Sequence, residues 1–234
     1  MKNLRDIALL LAVLAGTIWL CVAYPTRADE PTRVSVALVM AADVSGSIDY
    51  GRWKQQRDGY ATALTHPAFL RAVEATPDRR IAVAFVEWAG IQEQRLVVDW
   101  TVIANAADAE RLAERLRQND RSFNGSTSIA GALDFSGVLL EICPHRFARA
   151  VVDVSGDGVN SDGQDVAAAR DRLVLAGTTI NGIIMFGPMS EPHLREHYED
   201  QVIGGPGAFV MIADDDETFA YALVRKLVRE VASR

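Results

Sequence analysis

The sequence has almost no cysteine. Cys21 and Cys143 are the only two in 234 residues, and Cys21 falls in an N-terminal segment that reads as a targeting sequence. Once that segment is removed one thiol remains, so no internal disulfide can form. Cys143 then reads as a small buried hydrophobe at a helix end. Cys21 follows Trp19-Leu20 rather than the small residues of a lipoprotein cleavage site, which argues against lipidation. No run of Lys or Arg occurs, and the formal charge is −7. That balance excludes nucleic acid and anionic membrane surfaces as partners of the body. Three enzyme signatures are also missing: a G-x-S-x-G nucleophile elbow, a G-x-x-x-x-G-K-[ST] phosphate loop, and G-x-G-x-x-G after the first strand. There is no internal repeat, no low-complexity stretch and no sign of a second domain.

What is present begins with a leader. Lys2 and Arg5 precede an apolar run from Ile7 to Ala23, followed by Pro25 and Thr26-Arg27-Ala28. Residues 1–28 therefore look like a secretory signal peptide. The run approaches bilayer-spanning length, so an uncleaved anchor is the alternative. In both cases the positive end stays inside and the rest is exported, to the periplasm or beyond. Loss of Lys2, Arg5, Arg27 and Asp6 leaves the remainder more acidic still.

The remainder is 49% hydrophobic and 24% charged when counted with the leader, ordinary for a globular protein with a real core. Strand and helix patterns alternate along it. Val34–Ala41 is an almost unbroken apolar run, as expected of a strand covered on both faces. Asp49–Leu64 reads as a helix, Ile81–Trp88 as a second strand and Arg95–Trp100 as a third. The short connection between the last two predicts an antiparallel hairpin at a sheet edge. Ala106–Gln118 and Ser128–Ile142 are helical, Ala148–Val154 a strand, Asp165–Ala176 a helix, and Thr178–Phe186 a strand. Glu191–Gln201 reads as a helix, Ala208–Ala213 as a strand and Glu217–Ala232 as the last helix. The expected fold is α/β: a doubly wound, mostly parallel six-stranded sheet with helices on both faces and one antiparallel edge strand.

Such sheets bind ligands beyond the carboxyl ends of their strands, near the switch in strand order. Three polar clusters fall there: Asp43-Val44-Ser45-Gly46-Ser47, Gly125-Ser126-Thr127-Ser128 and Ser155-Gly156-Asp157-Gly158. Their carboxylate and hydroxyl oxygens suit hard cations. Asp-x-Ser-x-Ser aims three oxygens one way from a single loop. Asp43 and Asp157 offset a dication, and the hydroxyls of Ser45, Ser47 and Thr127 add geometry without charge. Mg²⁺ is the expected ion, with Mn²⁺ and Ca²⁺ as alternatives.

D-V-S-G-S after the first strand, G-S-T-S-I-A-G-A-L later and V-D-V-S-G-D-G after a buried strand resemble the von Willebrand factor type A domain. The resemblance covers residues 33–233, and the third motif is similar to that of an uncharacterised bacterial branch. The family's metal-ion-dependent adhesion site, or MIDAS, has the pattern matched here by Asp43, Ser45, Ser47, Thr127 and Asp157. The resemblance implies no catalysis. It implies a metal with an open coordination position, which an Asp or Glu of a protein partner fills. In some members the last helix moves with the metal geometry.

Each residue also has a plainer reading. Asp43, Ser47, Thr127 or Asp157 alone would serve as a helix cap. Asp49 either extends the metal shell or favours the helix dipole from its first turn. Glu87 either hydrogen-bonds the metal's water or is an exposed strand-end carboxylate. His193 and His197 lie four apart, but H-L-R-E-H lacks the zinc-protease Glu placement and reads as surface. Asp214, Asp215, Asp216 and Glu217 read as a solvated helix start, and Trp53, Trp88 and Trp100 as packing. The enzyme alternative is a metal-dependent phosphohydrolase with Asp43 as nucleophile or ligand. It lacks a second acid two positions after Asp43. It also lacks a basic residue near the metal, since Lys54, the nearest in sequence, lies well into the helix.

Overall fold

Alternate side chains of strand β1 (Arg33–Asp43) enter two different cores, and this sets the architecture. Val36, Leu38, Met40 and Ala42 face one apolar cluster. Ala37, Val39 and Ala41 face the other. A strand apolar on both faces has to sit mid-sheet with helices above and below. The computed structural model describes residues 31–185, 193–213 and 216–232. The expected leader, Asp214 and Asp215 lie outside the described residues. One compact unit runs from Arg33 to Arg234.

The other strands are β2 (Ile81–Trp88), β3 (Gln94–Ile103), β4 (Arg146–Gly156), β5 (Thr178–Met185) and β6 (Val210–Ala213). They form one six-stranded sheet in the order β3-β2-β1-β4-β5-β6. The β2–β3 pair is antiparallel, at the edge expected for it. The other four pairings are parallel. The chain winds from β1 outward to β3, then returns to lay β4 on β1's other side. The switch point therefore lies between β1 and β4, where crevices open in doubly wound sheets.

Helices α1 (Tyr50–Thr65), α2 (Pro67–Glu74), α3 (Ala106–Gln118) and α7 (Asp216–Ala232) cover one face. Helices α4 (Ile129–Glu141), α5 (Val166–Leu175) and the short α6 (Leu194–His197) cover the other. The sequence pattern did not predict α2. His66 ends α1 by donating its N–H to the Ala63 carbonyl and begins α2 by accepting from the Ala68 N–H. Pro67 occupies the first turn, where a missing N–H costs nothing. The helix expected over 191–201 is shorter than expected among the described residues. After His197 the backbone widens into a π-helical turn, Tyr198–Val202, that pushes Tyr198 into the core.

Helix α7 carries charge into the core it covers. Lys226 is fully buried and contacts both Asp153 of β4 and Glu230 one helical turn along. Asn181 of β5 donates to the same Glu230 oxygen at 3.0 Å. Burial raises the carboxyls of both Asp153 and Glu230, Glu230 to about 7, while Lys226 pulls each of them down. Removing one member of such a cluster strands the others. Lys226→Met should therefore destabilise the fold by about 3–5 kcal/mol, measured by denaturant unfolding at pH 7.5. A loss below about 1 kcal/mol would show that the cluster does not secure α7.

Candidate metal centre at the sheet switch point

Asp43 is the last residue of β1, and Asp157 immediately follows β4, its parallel neighbour. Register alone puts both carboxylates in the crevice between the two strands. The loop after β1 then folds on itself. The Ser45 N–H donates to Asp43 Oδ1 at 2.7 Å, and the Ser45 and Ser47 hydroxyls lie 3.2 Å apart. Ser47 Oγ donates to Asp157 Oδ1 at 2.6 Å, tying the first loop to the third.

The second loop packs between them. The Gly46 N–H donates to the Gly125 carbonyl at 2.8 Å. A side chain at Gly46 would sit 3.4 Å from that carbonyl, so the approach is close. The Thr127 carbonyl accepts from Ser161 at 2.8 Å and Asp162 at 3.1 Å. Ser128 caps α4 by accepting from the Gly131 N–H, so the cap falls one residue after Thr127. The structure thus joins Asp43, Ser45, Ser47 and Asp157 by side-chain contacts. Thr127 makes no side-chain contact with these four; its backbone ties it to Ser161 and Asp162, in the loop that follows Asp157.

The donor arrangement fits a hard cation. Asp43 is fully buried and Asp157 nearly so, yet Oδ2 of each has no hydrogen-bond partner. Buried carboxylate oxygens without a hydrogen bond are costly, and a cation between them would satisfy both. Among the described residues no cluster of three or more His, Cys, Asp or Glu is placed to hold a metal. A cation here would rest on two carboxylates and hydroxyls.

Burial raises the Asp43 carboxyl to about 7, against the lowering effect of its bonds to Ser45; Asp157 adds a further upward push. Asp157 is raised too, chiefly by burial, with Ser47 and Arg52 pulling it down.

The two auxiliary residues have other work. Asp49 caps α1, accepting from the Arg52 N–H at 2.9 Å. Glu87 is neither exposed nor turned to the metal crevice. It is buried and ion-paired to Arg57 of α1. Trp53 Nε1 donates to its Oε1 at 2.7 Å, and the Ser122 N–H to its Oε2 at 2.9 Å. Glu87 therefore fastens α1 and the loop after α3 to β2, which positions the second cluster at one remove. Trp88 is fully buried and Trp100 partly so, as packing residues. His193 is exposed beside Glu196, and His197 stacks edge-on against Tyr198.

Three residues near the crevice were missed from sequence. Arg121 Nη2 donates to the carbonyls of Val44 at 2.8 Å and Ser45 at 2.9 Å, bracing the first loop. Arg52 Nη1 lies 3.6 Å from Asp157 Oδ2. Tyr198 reaches in from the opposite face. A side chain at Gly156 would meet its hydroxyl at 2.6 Å and Asp43 Oδ2 at 3.0 Å, so only glycine fits there. Arg52 had a sequence signal, lying one turn into the helix that the D-x-S-x-S loop opens. Tyr198 had none.

The family model described as "Protein of unknown function (DUF1194)" matches residues 33–234. No curated protein matches the sequence significantly. Solved structures share the fold. The pilus adhesin SpaC from Lactobacillus rhamnosus GG superposes with a TM-score of 0.61 at 13% identity. The match covers 85% of this chain and 31% of the adhesin. The vWF domain of the type V pili tip protein Mfa5 from Porphyromonas gingivalis gives 0.57 at 10% identity, covering 85% and 95%. Proximal thread matrix protein 1 from mussel byssus, with a zinc-occupied MIDAS motif, gives 0.57 at 15%, covering 85% and 47%. The chain thus spans about a third of the SpaC adhesin and about half of the mussel protein. These likenesses establish a von Willebrand factor type A fold, as the sequence motifs implied.

The raised Asp43 carboxyl gives a signed expectation. Between pH 4 and about 7 the folded chain holds a proton that the unfolded chain has released. This contribution to stability is present at low pH and is lost as pH rises through about 7. Glu230 acts in the same direction. Asp43→Asn removes only the first share, so metal-free wild type should lose more stability than this variant between pH 5.5 and pH 8. Added Mg²⁺ should raise the melting temperature of wild type at pH 8 and much less at pH 5.5, where protons compete. Thermal melts on both proteins check this, and an equal Mg²⁺ shift at the two pH values would contradict it.

Proposed function

Because the chain belongs to the DUF1194 family, described only as of unknown function, the site itself must carry the reading, and we propose that this is an exported binding module. It holds a divalent cation with Asp43, Ser45, Ser47, Thr127 and Asp157 and captures an Asp or Glu of a protein partner. The observation that carries this is the pair of buried oxygens that accept no hydrogen bond, Asp43 Oδ2 and Asp157 Oδ2, at the strand switch point, the second of them 3.6 Å from Arg52 Nη1. The two carboxylates offset a bound dication, and the neutral hydroxyls add no further negative charge, so the ion keeps a position open to an outside ligand. Mg²⁺ is the ion proposed first; the zinc-occupied MIDAS of the mussel protein supports divalent-cation binding without deciding which ion.

The chain's own residues divide the work. Asp43 and Asp157 provide the charge that retains the ion. Ser47 orients Asp157 through its hydrogen bond, and Ser45 does the same for Asp43 through its N–H. Glu87 and Arg121 hold the loops so that the oxygens need not reorganise on binding. An incoming carboxylate gains a charge-assisted contact in a partly desolvated crevice. Two relatives are named as a pilus adhesin and a pili tip protein, and a third as a thread matrix protein. Those names support a surface or extracellular place and a protein partner. No helix among the described residues is long and apolar enough to cross a membrane.

The phosphohydrolase alternative gains one observation, because Arg52 supplies the basic group near the site that Lys54 does not. It still lacks a second acid where Ser45 stands. A phosphate-release assay on purified wild type and Asp43→Ala separates the readings: activity lost in the variant favours the enzyme.

The binding reading is tested by partner retention from the envelope fraction, with and without chelator. Wild type should retain its partner only with metal. Asp43→Ala should behave like chelated protein and be rescued poorly by added metal. Thr127→Ala should fold normally and weaken retention on the order of tenfold, since water fills the space of the lost hydroxyl. Retention that survives chelation would mean the crevice is not the binding site.

A further inference from the structure

We infer that the groove between α4 and α5, at the end of the sheet away from the metal crevice, is where a second copy of this chain docks. Four of the seven large hydrophobic residues exposed among the described residues gather there: Val138, Ile142, Phe147 and Leu175. Val138 and Phe147 line a groove of about 300 Å³, with the buried Leu140 and Leu173 at their side. Ile142 directly follows Glu141 and Leu175 directly precedes Ala176, both residues of the groove wall. Leu175 is 88% exposed. The two helices abut, since a side chain at Gly137 would lie 3.0 Å from Leu173. Single exposed apolar side chains are ordinary, but four around one groove mark an interaction surface.

Charge decides the occupant. The charged residues of the groove are divided by helix: α4 supplies Asp134 and Glu141, and α5 supplies Arg172. Asp134, Val138, Glu141 and Ile142 fall at i, i+4, i+7 and i+8, one stripe along α4. Arg172 and Leu175 are neighbours three apart on α5. Arg172 Nη2 donates to both Asp134 oxygens, at 2.7 and 2.9 Å, and its side chain is still half exposed. Glu141 is exposed beside them. A twofold axis through the groove sets α4 of one copy against α5 of the other. Apolar stripe then meets apolar stripe, and Glu141 of each copy faces Arg172 of the other, so the contact forms twice. The formal charge of −7 makes two copies repel across most of their surfaces, and a patch carrying both signs is where they can meet. An anionic lipid surface fits worse, because Asp134 and Glu141 would face it. The groove lies at the amino ends of β4 and β5, so both metal crevices stay open in this dimer.

The test is sedimentation velocity on the full chain over a concentration series, with thermal melts to confirm folding. Every variant keeps the N-terminal segment, so differences between variants report the groove. Wild type should show a reversible monomer–dimer equilibrium. Val138→Gln combined with Leu175→Gln should weaken it about tenfold or more, with the melting temperature unchanged because both side chains are exposed. Glu141→Arg alone and Arg172→Glu alone should each weaken self-association. An equimolar mixture of those two variants should recover it, because every contact between the copies then pairs opposite signs. A wild type that stays monomeric at about 100 μM would overturn the inference. So would a mixture that fails to recover, or dimerisation undiminished by the paired Gln substitutions. A monomer that binds phosphatidylglycerol vesicles, and loses that binding with the Gln substitutions, would also overturn it, because the patch would then serve a lipid surface.

Discussion

Everything at the crevice follows from one constraint: Asp43 is fully buried at the end of the central strand, with one oxygen left unsatisfied. The strand itself is apolar on both faces, so its last residue cannot reach solvent without leaving the sheet. β4 brings Asp157 beside it by parallel register, and the two carboxylates share a space that water reaches poorly. Such a pair has few stable solutions: a proton, a fixed cation, or a bound ion. The raised Asp43 carboxyl reflects the first, and Arg52 beside Asp157 is a partial form of the second. The third solution satisfies both orphan oxygens at once.

Much of the surrounding structure keeps that crevice from collapsing or opening. Glu87 spends both oxygens on α1 and the Ser122 backbone. Arg121 braces the first loop from below, and the Thr127 backbone locks the second loop to the third. The Tyr198 hydroxyl and Asp43 Oδ2 both border Gly156 and leave no room for a side chain there. These contacts position the oxygens before any ion arrives, which lowers the cost of ordering them on binding.

The sheet, and the contact of Asp43, Ser45, Ser47 and Asp157, were legible because both are written in local spacing. Continuous apolar runs mark strands buried on both faces, and Asp-x-Ser-x-Ser at a strand end needs only its neighbours to be read. Residues whose meaning lies in distant partners were not legible. Glu87 ends an apolar strand and read either as a partner of the metal's water or as an exposed carboxylate, because its true partners Trp53 and Arg57 lie 34 and 30 residues away. Lys226 carries no local signal, because its partner Asp153 is 73 residues distant in β4. Helix α2 was missed because only Phe69 and Val73 are buried along it, too few to show a period. Tyr198 enters the site only because a π turn interrupts the helix that its sequence suggests.

The central claim is that a divalent ion occupies the crevice between β1 and β4. The most direct measurement is an anomalous difference map from crystals of the protein grown with Mn²⁺. The account predicts one strong peak between Asp43 Oδ2 and Asp157 Oδ2, within reach of the Ser45, Ser47 and Thr127 hydroxyls and absent in Asp43→Ala crystals. No peak there under saturating Mn²⁺, with both carboxylates ordered, would contradict it.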